Sequence, residues 1–348
     1  MIRILIVDDS AVVRKVLAEE LSKYSDIEVV GTAVDPYEAR DKIVRLKPDV
    51  VTLDVEMPRM DGISFLAKLM KYYPIPVVII SSLTPENSEA ALKALQLGAV
   101  EVISKPGSQY STPDVHRQLI RSIRAAALSR PAKRFDSADF DNKSESIKFS
   151  QLQTSHKILA IGASTGGTQA IEVVLRGLPA TAPGTVICQH MPESFTAAFA
   201  ARLNQVSKME IREARDNEIV APGLGLVAPG NKHMVLEQSG ARYFVRIKDG
   251  PPVYHQRPSV DVLFQSVAKS AGRNAIGVLL TGMGADGAKG LLMMKEAGAH
   301  TIVQDEETSV VFGMPKEAIK LGAECAVLPL QSVASAIIDN LVSGQKAA

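Results

Sequence analysis

Cysteine is scarce in this sequence: Cys188 and Cys325 are the only two in 348 residues, and neither belongs to a CxxC pair. That excludes a disulfide scaffold and suits a reducing compartment. Histidine is nearly as sparse. The six residues show no HxxH or HExxH spacing, so a catalytic zinc centre is not expected. Neither sign of charge is in excess, and a net charge of +1 gives no general pull toward nucleic acid or an anionic membrane. Long apolar runs are missing too, and none could span a bilayer. The opening MIRILIVDDS meets Asp8 and Asp9 at once and has no small-residue cleavage site, unlike a secretory signal. These absences leave a soluble cytoplasmic protein, and the length suggests two domains.

From residue 1 to 127, short aliphatic runs alternate with amphipathic segments. Arg3–Val7, Val29–Ala33, Val50–Leu53, Val77–Ile80 and Val100–Ile103 each read as a buried parallel strand. In the first intervening segment Val13, Val16, Leu17 and Leu21 share one helical face. Strict β/α alternation implies a parallel sheet with helices on both sides, and reactive groups then gather at the carboxyl ends of the strands. The stretch SRPAKRFDSADFDNKSESIKFS (129–150) breaks this rhythm, with Ile147 its only Ile, Leu or Val. It cannot bury enough apolar surface to offset its ordering entropy. An interdomain linker is therefore expected over 128–153, a packed surface extension being the alternative. Over 154–348 the alternation resumes, with KILAI, TVICQH and AIGVLLTG as strands. Between about 209 and 258, alternating apolar residues and Gly/Pro turns suggest antiparallel hairpins inserted into a second α/β domain.

In the first half Asp8 and Asp9 follow the first strand, Asp54 ends the third, Ser81 and Ser82 the fourth, and Lys105 the fifth. A parallel sheet brings all of them to one edge. Three carboxylates together repel unless a divalent cation binds them, and oxygen-only ligation suits Mg²⁺. A carboxylate beside Mg²⁺ and a lysine is equipped to accept a phosphoryl group, because both cations neutralise the transferring oxygens. A Mg²⁺ site without phosphorylation, or solvated acids at strand ends, is the simpler alternative.

In the second half, ILAIGASTGGTQAI (158–171) runs from an aliphatic strand through a glycine-rich turn into a helix. It reads either as a phosphate cradle or as the G-x-S-x-G turn that raises a serine, here Ser164. A dinucleotide cradle wants an acid at the end of the next strand, and a P-loop wants a lysine after the glycines. That strand ends instead in Gln189 and His190, and no lysine follows. His190 is thus a candidate base on the same sheet edge as Ser164, and Asp286 in LLTGMGADGAKG a candidate to orient it. Backbone amides at Thr165 or around Met283 would hold an oxyanion. Three simpler readings stand beside this: His190 as an ordinary buried histidine, Asp286 as a cap on the helix after it, and Cys188 paired with His190 as a thiol nucleophile. His233 and His255 sit by turn signals and are not placed in the chemistry.

ILIVDDS, LDVEMPRMDG and ISKPG resemble the response-regulator receiver domain over essentially all of residues 1–125. The resemblance implies a flavodoxin-like sheet of order 2-1-3-4-5. It makes Asp54 the phosphoacceptor, and Asp8, Asp9 and Asp54 with the Glu56 carbonyl the Mg²⁺ ligands. Ser81 and Lys105 would contact the phosphoryl oxygens. One departure is Val102, where the family often has an aromatic switch residue. IGASTGG, CQHMP, APGNKHM, RPSVDVLF, TGMGADGAKGL and FGMP together resemble the catalytic domain of the chemotaxis protein-glutamate methylesterase (CheB) family. That implies a doubly wound α/β esterase domain with a Ser164–His190–Asp286 triad. It also implies hydrolysis of glutamyl methyl esters on the cytoplasmic helices of methyl-accepting chemoreceptors, giving glutamate and methanol, and deamidation of receptor glutamines. A chemotaxis histidine kinase would be the phosphodonor, and the unphosphorylated receiver would inhibit the esterase. Mg²⁺ would serve only the receiver, with no cofactor for the ester chemistry, no nucleic-acid partner and no membrane insertion. The competing class is a two-component regulator whose output half binds DNA or protein without catalysis. It would show a helix-turn-helix and a basic output half, and neither is visible.

Overall fold

The computed structural model describes residues 1–81, 85–105, 113–129 and 157–346. The chain divides into two compact units with the boundary between residues 134 and 135. The expected linker at 128–153 lies outside the described residues except for Leu128 and Ser129, as does Ser82.

The first unit alternates strictly. Its strands are β1 (Ile2–Val7), β2 (Ile27–Ala33), β3 (Val50–Asp54), β4 (Val77–Ser81) and β5 (Glu101–Ser104). They are separated by α1 (Ala11–Leu21), α2 (Pro36–Leu46), α3 (Gly62–Tyr72) and α4 (Pro85–Gln96), and α5 (Pro113–Leu128) closes the unit. The strand order is β2-β1-β3-β4-β5, and every pairing is parallel. β3 is buried along its whole length, as a strand covered on both faces must be. Two of the helix starts show their local cause. Ser10 accepts a hydrogen bond from Val13 N to cap α1, and Asp35 accepts from Tyr37 N and Glu38 N to cap α2 ahead of Pro36.

The second unit is built on β6 (Ile158–Ala163), β7 (Gly184–Gln189), β8 (Glu210–Glu213), β10 (Leu224–Val227), β13 (Ala275–Leu279), β14 (His300–Gln304) and β15 (Ala326–Leu328). They form a seven-stranded parallel sheet in the order β15-β14-β13-β6-β7-β10-β8. The helices are α6 (Gly167–Gly177), α7 (Glu193–Val206), α8 (Val260–Ala271), α9 (Ala288–Glu296), α10 (Met314–Lys320) and α11 (Leu330–Lys346). α6 packs against α7 and α11, while α9 packs against α8 and α10, which gives two helical groups about the sheet. From β6 the chain first builds outward through β7, then returns to lay β13 on the other flank of β6. The switch point of this doubly wound sheet lies there, and such sheets form their crevice at that point.

The antiparallel insertion is β9 (Glu218–Ile219), β11 (His233–Ser239) and β12 (Arg242–Lys248), with β11 and β12 a hairpin packed on α8. It is smaller than the sequence pattern suggests. Leu224–Val227, expected in a hairpin, is instead a parallel strand of the main sheet between β7 and β8. All four of its residues are buried, so both faces are covered.

Candidate active site and phosphoacceptor site

The first unit gathers its acids as the strand ends require. Carboxylate oxygens of Asp8, Asp9 and Asp54 lie within 4.8 Å of one another. Lys105 Nζ donates to Asp54 Oδ2 at 2.6 Å and lies 3.2 Å from Asp8 Oδ2. Burial pushes Asp54 up to about 6, with the Asp8 charge adding to it and the Lys105 ammonium opposing. Asp8 is raised for the same first reason. Lys105 is held above its ordinary value by the two carboxylates, although burial works against that. Asp8 Oδ2 is buried and shares the Lys105 ammonium with Asp54, so three carboxylates stand against one cation, a set of oxygens that a divalent ion would balance. Glu56 N donates to Asp54 Oδ1 at 3.2 Å, and Ser81 is buried at the end of β4. Arg14, which sequence reasoning did not single out, donates to the backbone carbonyls of Asp8 and Asp9 at 2.7 and 2.9 Å. Val102 is buried in β5.

In the second unit the parallel register sets the central pair. Ala163 pairs with Gln189 across β6 and β7, and His190 N donates to Ala163 O at 3.1 Å. Ser164 and His190 are the next residue on each strand. The chain can leave β6 so sharply because Gly166 adopts φ +78°, a left-handed conformation that suits glycine. Its missing side chain also leaves room for Val310. On the other flank of β6, Ser164 N donates to Thr281 O at 3.0 Å, which ties the turn to the loop after β13.

That loop carries Asp286. His190 Nε2 lies 2.7 Å from Asp286 Oδ2, both side chains being almost wholly buried. Asp286 does not cap α9, which follows it and has no side-chain cap. Its carboxylate instead lies at the start of α8. Oδ1 accepts from Ser259 Oγ at 2.8 Å and Asp261 N at 2.9 Å, and Oδ2 accepts from Val260 N at 2.9 Å. Burial alone would raise this carboxyl. The His190 bond and charge and the amides of Asp261 and Val260 outweigh it, and the pKa is held below the ordinary value. The positive end of the α8 dipole acts in the same direction.

His190 Nδ1 is buried without a hydrogen-bond partner among the described residues. Burial, with the Asp286 charge second, pushes the Cys188 thiol well above its ordinary value, so a thiolate there is disfavoured. His233 is buried with Nε2 3.0 Å from the Pro251 carbonyl, and His255 is exposed at the tip of a turn. The partners of Asp286 on α8 escaped the sequence reading. Ser-Val-Asp after a proline is nevertheless a helix-start signal, and Ser259 caps α8.

The two units match two families. Residues 159–337 match the CheB methylesterase family model, and residues 4–112 match the response regulator receiver domain. The chain belongs to the CheB methylesterase family. It is 57% identical to a protein-glutamate methylesterase/protein-glutamine glutaminase of Syntrophus aciditrophicus over 97% of this chain and 98% of that protein. It is 50% identical to the Salmonella typhi protein of the same name over 99% and 98%. The CheB methylesterase catalytic domain of Thermotoga maritima is 38% identical and matches with a TM-score of 0.52, covering 53% of this chain and 98% of that one. The CheB-type unit thus takes the place of the non-catalytic output half considered above. Among the described residues no helix is long and apolar enough to cross a membrane.

Proposed function

We propose that this chain is a phosphorylation-regulated protein-glutamate methylesterase with protein-glutamine glutaminase activity, acting on methyl-accepting chemoreceptors in the cytoplasm during chemotactic adaptation. The observation that carries this reading is the His190–Asp286 pair at 2.7 Å, one strand position from Ser164.

Ser164 attacks the γ-carbonyl of a receptor glutamyl methyl ester while His190 Nδ1 takes its proton. Asp286 fixes the tautomer through Nε2 and stabilises the imidazolium as it forms. His190 then protonates departing methanol, and water releases glutamate from the acyl-enzyme. A primary amide follows the same path with ammonia as leaving group. The tetrahedral oxyanion is held by the amides of Thr165 and Met283. The geometry around Met283 supports its share. The Gly282 carbonyl accepts from Gly313 N and Met314 N at 3.1 and 2.8 Å, which turns the Met283 N–H of the same peptide plane the opposite way. The ester chemistry calls on no cofactor.

In the receiver, Asp54 is the phosphoacceptor, with a chemotaxis histidine kinase as donor. Asp8, Asp9 and Asp54 with the Glu56 carbonyl would hold Mg²⁺, which when bound neutralises charge on the phosphoryl oxygens. Lys105 and Ser81 contact those oxygens. The domains are residues 1–127 and 154–348, joined by a linker at 128–153.

Methanol release from a methylated receptor fragment tests the reading. Release by the wild type and none by Ser164→Ala supports it; equal release by both rejects the triad.

A further inference from the structure

Gln189, the last residue of β7, is 4% exposed and has no part in the chemistry above. Its Nε2 donates to the Ser164 carbonyl at 2.9 Å and to the His190 carbonyl at 3.1 Å. One carboxamide therefore ties together the main chain of the nucleophile and that of the base. Its other end is not matched: Oε1 is buried and accepts no hydrogen bond among the described residues. Gly167 makes room for it, since a Cβ there would stand 2.2 Å from Oε1 and 2.5 Å from the Ala163 side chain. A buried acceptor without a donor is unfavourable, so it is the other end of this side chain that the site uses. What glutamine adds is the pair of donors.

The Ser164 carbonyl belongs to the Ser164–Thr165 peptide. In a planar trans peptide the C=O and the following N–H point in opposite directions. Gly167 N, at 2.7 Å, and Gln189 Nε2 both draw the Ser164 oxygen toward the turn, so the Thr165 N–H is turned away from it. The Thr165 carbonyl is held in its turn by Thr281 Oγ1 at 3.0 Å. On the opposite flank the Gly313 and Met314 amides do for the Gly282–Met283 peptide what Gln189 and Gly167 do here. The difference is that Gln189 is a side chain, and can be removed without breaking the backbone.

We propose that Gln189 is a positioning residue that sets the oxyanion donor, by pinning the Ser164 carbonyl so that the Thr165 amide faces the reacting oxygen. This rests on the esterase reading above. Without the Nε2 donor the Ser164 carbonyl is held by Gly167 N alone, and the Thr165 amide is less firmly aimed at the oxyanion. The His190 carbonyl, held by the same group, keeps the base in register with the serine.

The test is Gln189→Leu in the full-length protein, which keeps the volume and removes the donors. It is assayed for methanol release and for inhibition by a trifluoromethyl ketone analogue of the glutamyl ester, which adds to the serine as a tetrahedral oxyanion. The expected result is a fall in kcat of about 100-fold, with a matching loss of inhibitor affinity. KM should stay within about threefold of wild type, and a cooperative melting transition should show that the variant is folded. A variant that keeps kcat within about threefold overturns the proposal, as does one that loses substrate and inhibitor binding equally. Should the leucine variant not fold, Gln189→Met gives the same comparison with a more pliable side chain. Failure of the esterase reading looks different: wild type then releases no methanol, or Ser164→Ala releases as much. Failure of this inference alone leaves Ser164→Ala inactive and Gln189→Leu active.

Discussion

His190 presents Nε2, not Nδ1, to Asp286, at 2.7 Å from Oδ2. With the carboxylate ionised, Nε2 carries the proton, and the buried Nδ1, without a partner among the described residues, is the nitrogen left to act as base. Nitrogen NMR of the resting enzyme at neutral pH should show a protonated Nε2 and a bare Nδ1 at His190. The reverse tautomer would exclude the proton path proposed for Ser164.

Removing the nucleophile should remove the activity. Ser164→Ala should lower turnover by roughly 10⁴-fold or more, and adding His190→Ala should cost little beyond that, because the groups work as a unit. Cys188→Ala should keep most of the activity, since burial holds that thiol protonated. Methanol release under saturating substrate reads all three. A tenth of wild-type activity in folded Ser164→Ala, or an inactive but folded Cys188→Ala, would shift the chemistry to the thiol.

Ser259→Ala takes away one of three donors to Asp286 from outside the imidazole, and the cap of α8 with it. The expected cost is about 1 kcal/mol in stability, from the cap, and about tenfold in kcat, from a less firmly held carboxylate. Ser259→Thr keeps a hydroxyl and should recover most of both. Calorimetry and turnover on the three proteins decide it.

Asp261 offers a pH test. Burial, with the Asp286 charge adding and the Gly290 amide opposing, pushes it up to about 6. A raised carboxyl stabilises the fold when protonated. That contribution is complete below the ordinary carboxylate range and is lost as pH rises through about 6. Above it, a buried charge stands beside Asp286. Asp261→Asn keeps an oxygen for the Gly290 amide, which donates to Oδ1 at 2.7 Å, and removes the charge. The variant should melt higher than wild type by a few degrees at about pH 8, with the gap closing as pH falls toward about 4. A gap that widens on acidification would reverse the sign.

The receiver should restrain the esterase until it is phosphorylated. A small phosphodonor with Mg²⁺ should raise methanol release, and Asp54→Asn should abolish that response while leaving the basal rate. The fragment 151–348 should exceed the unphosphorylated full-length protein. If the folded fragment is no faster, regulation acts by recruitment to receptors instead.

Much of this was legible because parallel strands buried on both faces are written as aliphatic runs, and the residue that ends a run is at the reactive edge. Asp8, Asp54, Lys105, Ser164 and His190 could be placed that way. Leu224–Val227 could not. Its glycine and the prolines around it imitate hairpin turns, and its partners on β7 and β8 come from elsewhere in the chain. The surroundings of Asp286 were hidden for another reason. Two of its donors are backbone amides at the start of α8, and a backbone N–H has no letter of its own. Gln189 looked like an absence, the missing acid of a nucleotide site, until its two carbonyl partners came into view.

Ser164 and His190 directly follow neighbouring strands of one sheet, and Asp286 lies in the loop that follows the strand on the other flank of β6. The Ser164–His190 separation is therefore set by interstrand spacing, about 4.8 Å per strand, and Asp286 is fixed by its hydrogen bonds to the start of α8. Warming should loosen such a site only when the sheet itself gives way. The temperature at which hydrolysis fails should then coincide with cooperative unfolding of the catalytic unit. An enzyme whose triad hung from mobile loops would fall silent well before it melted.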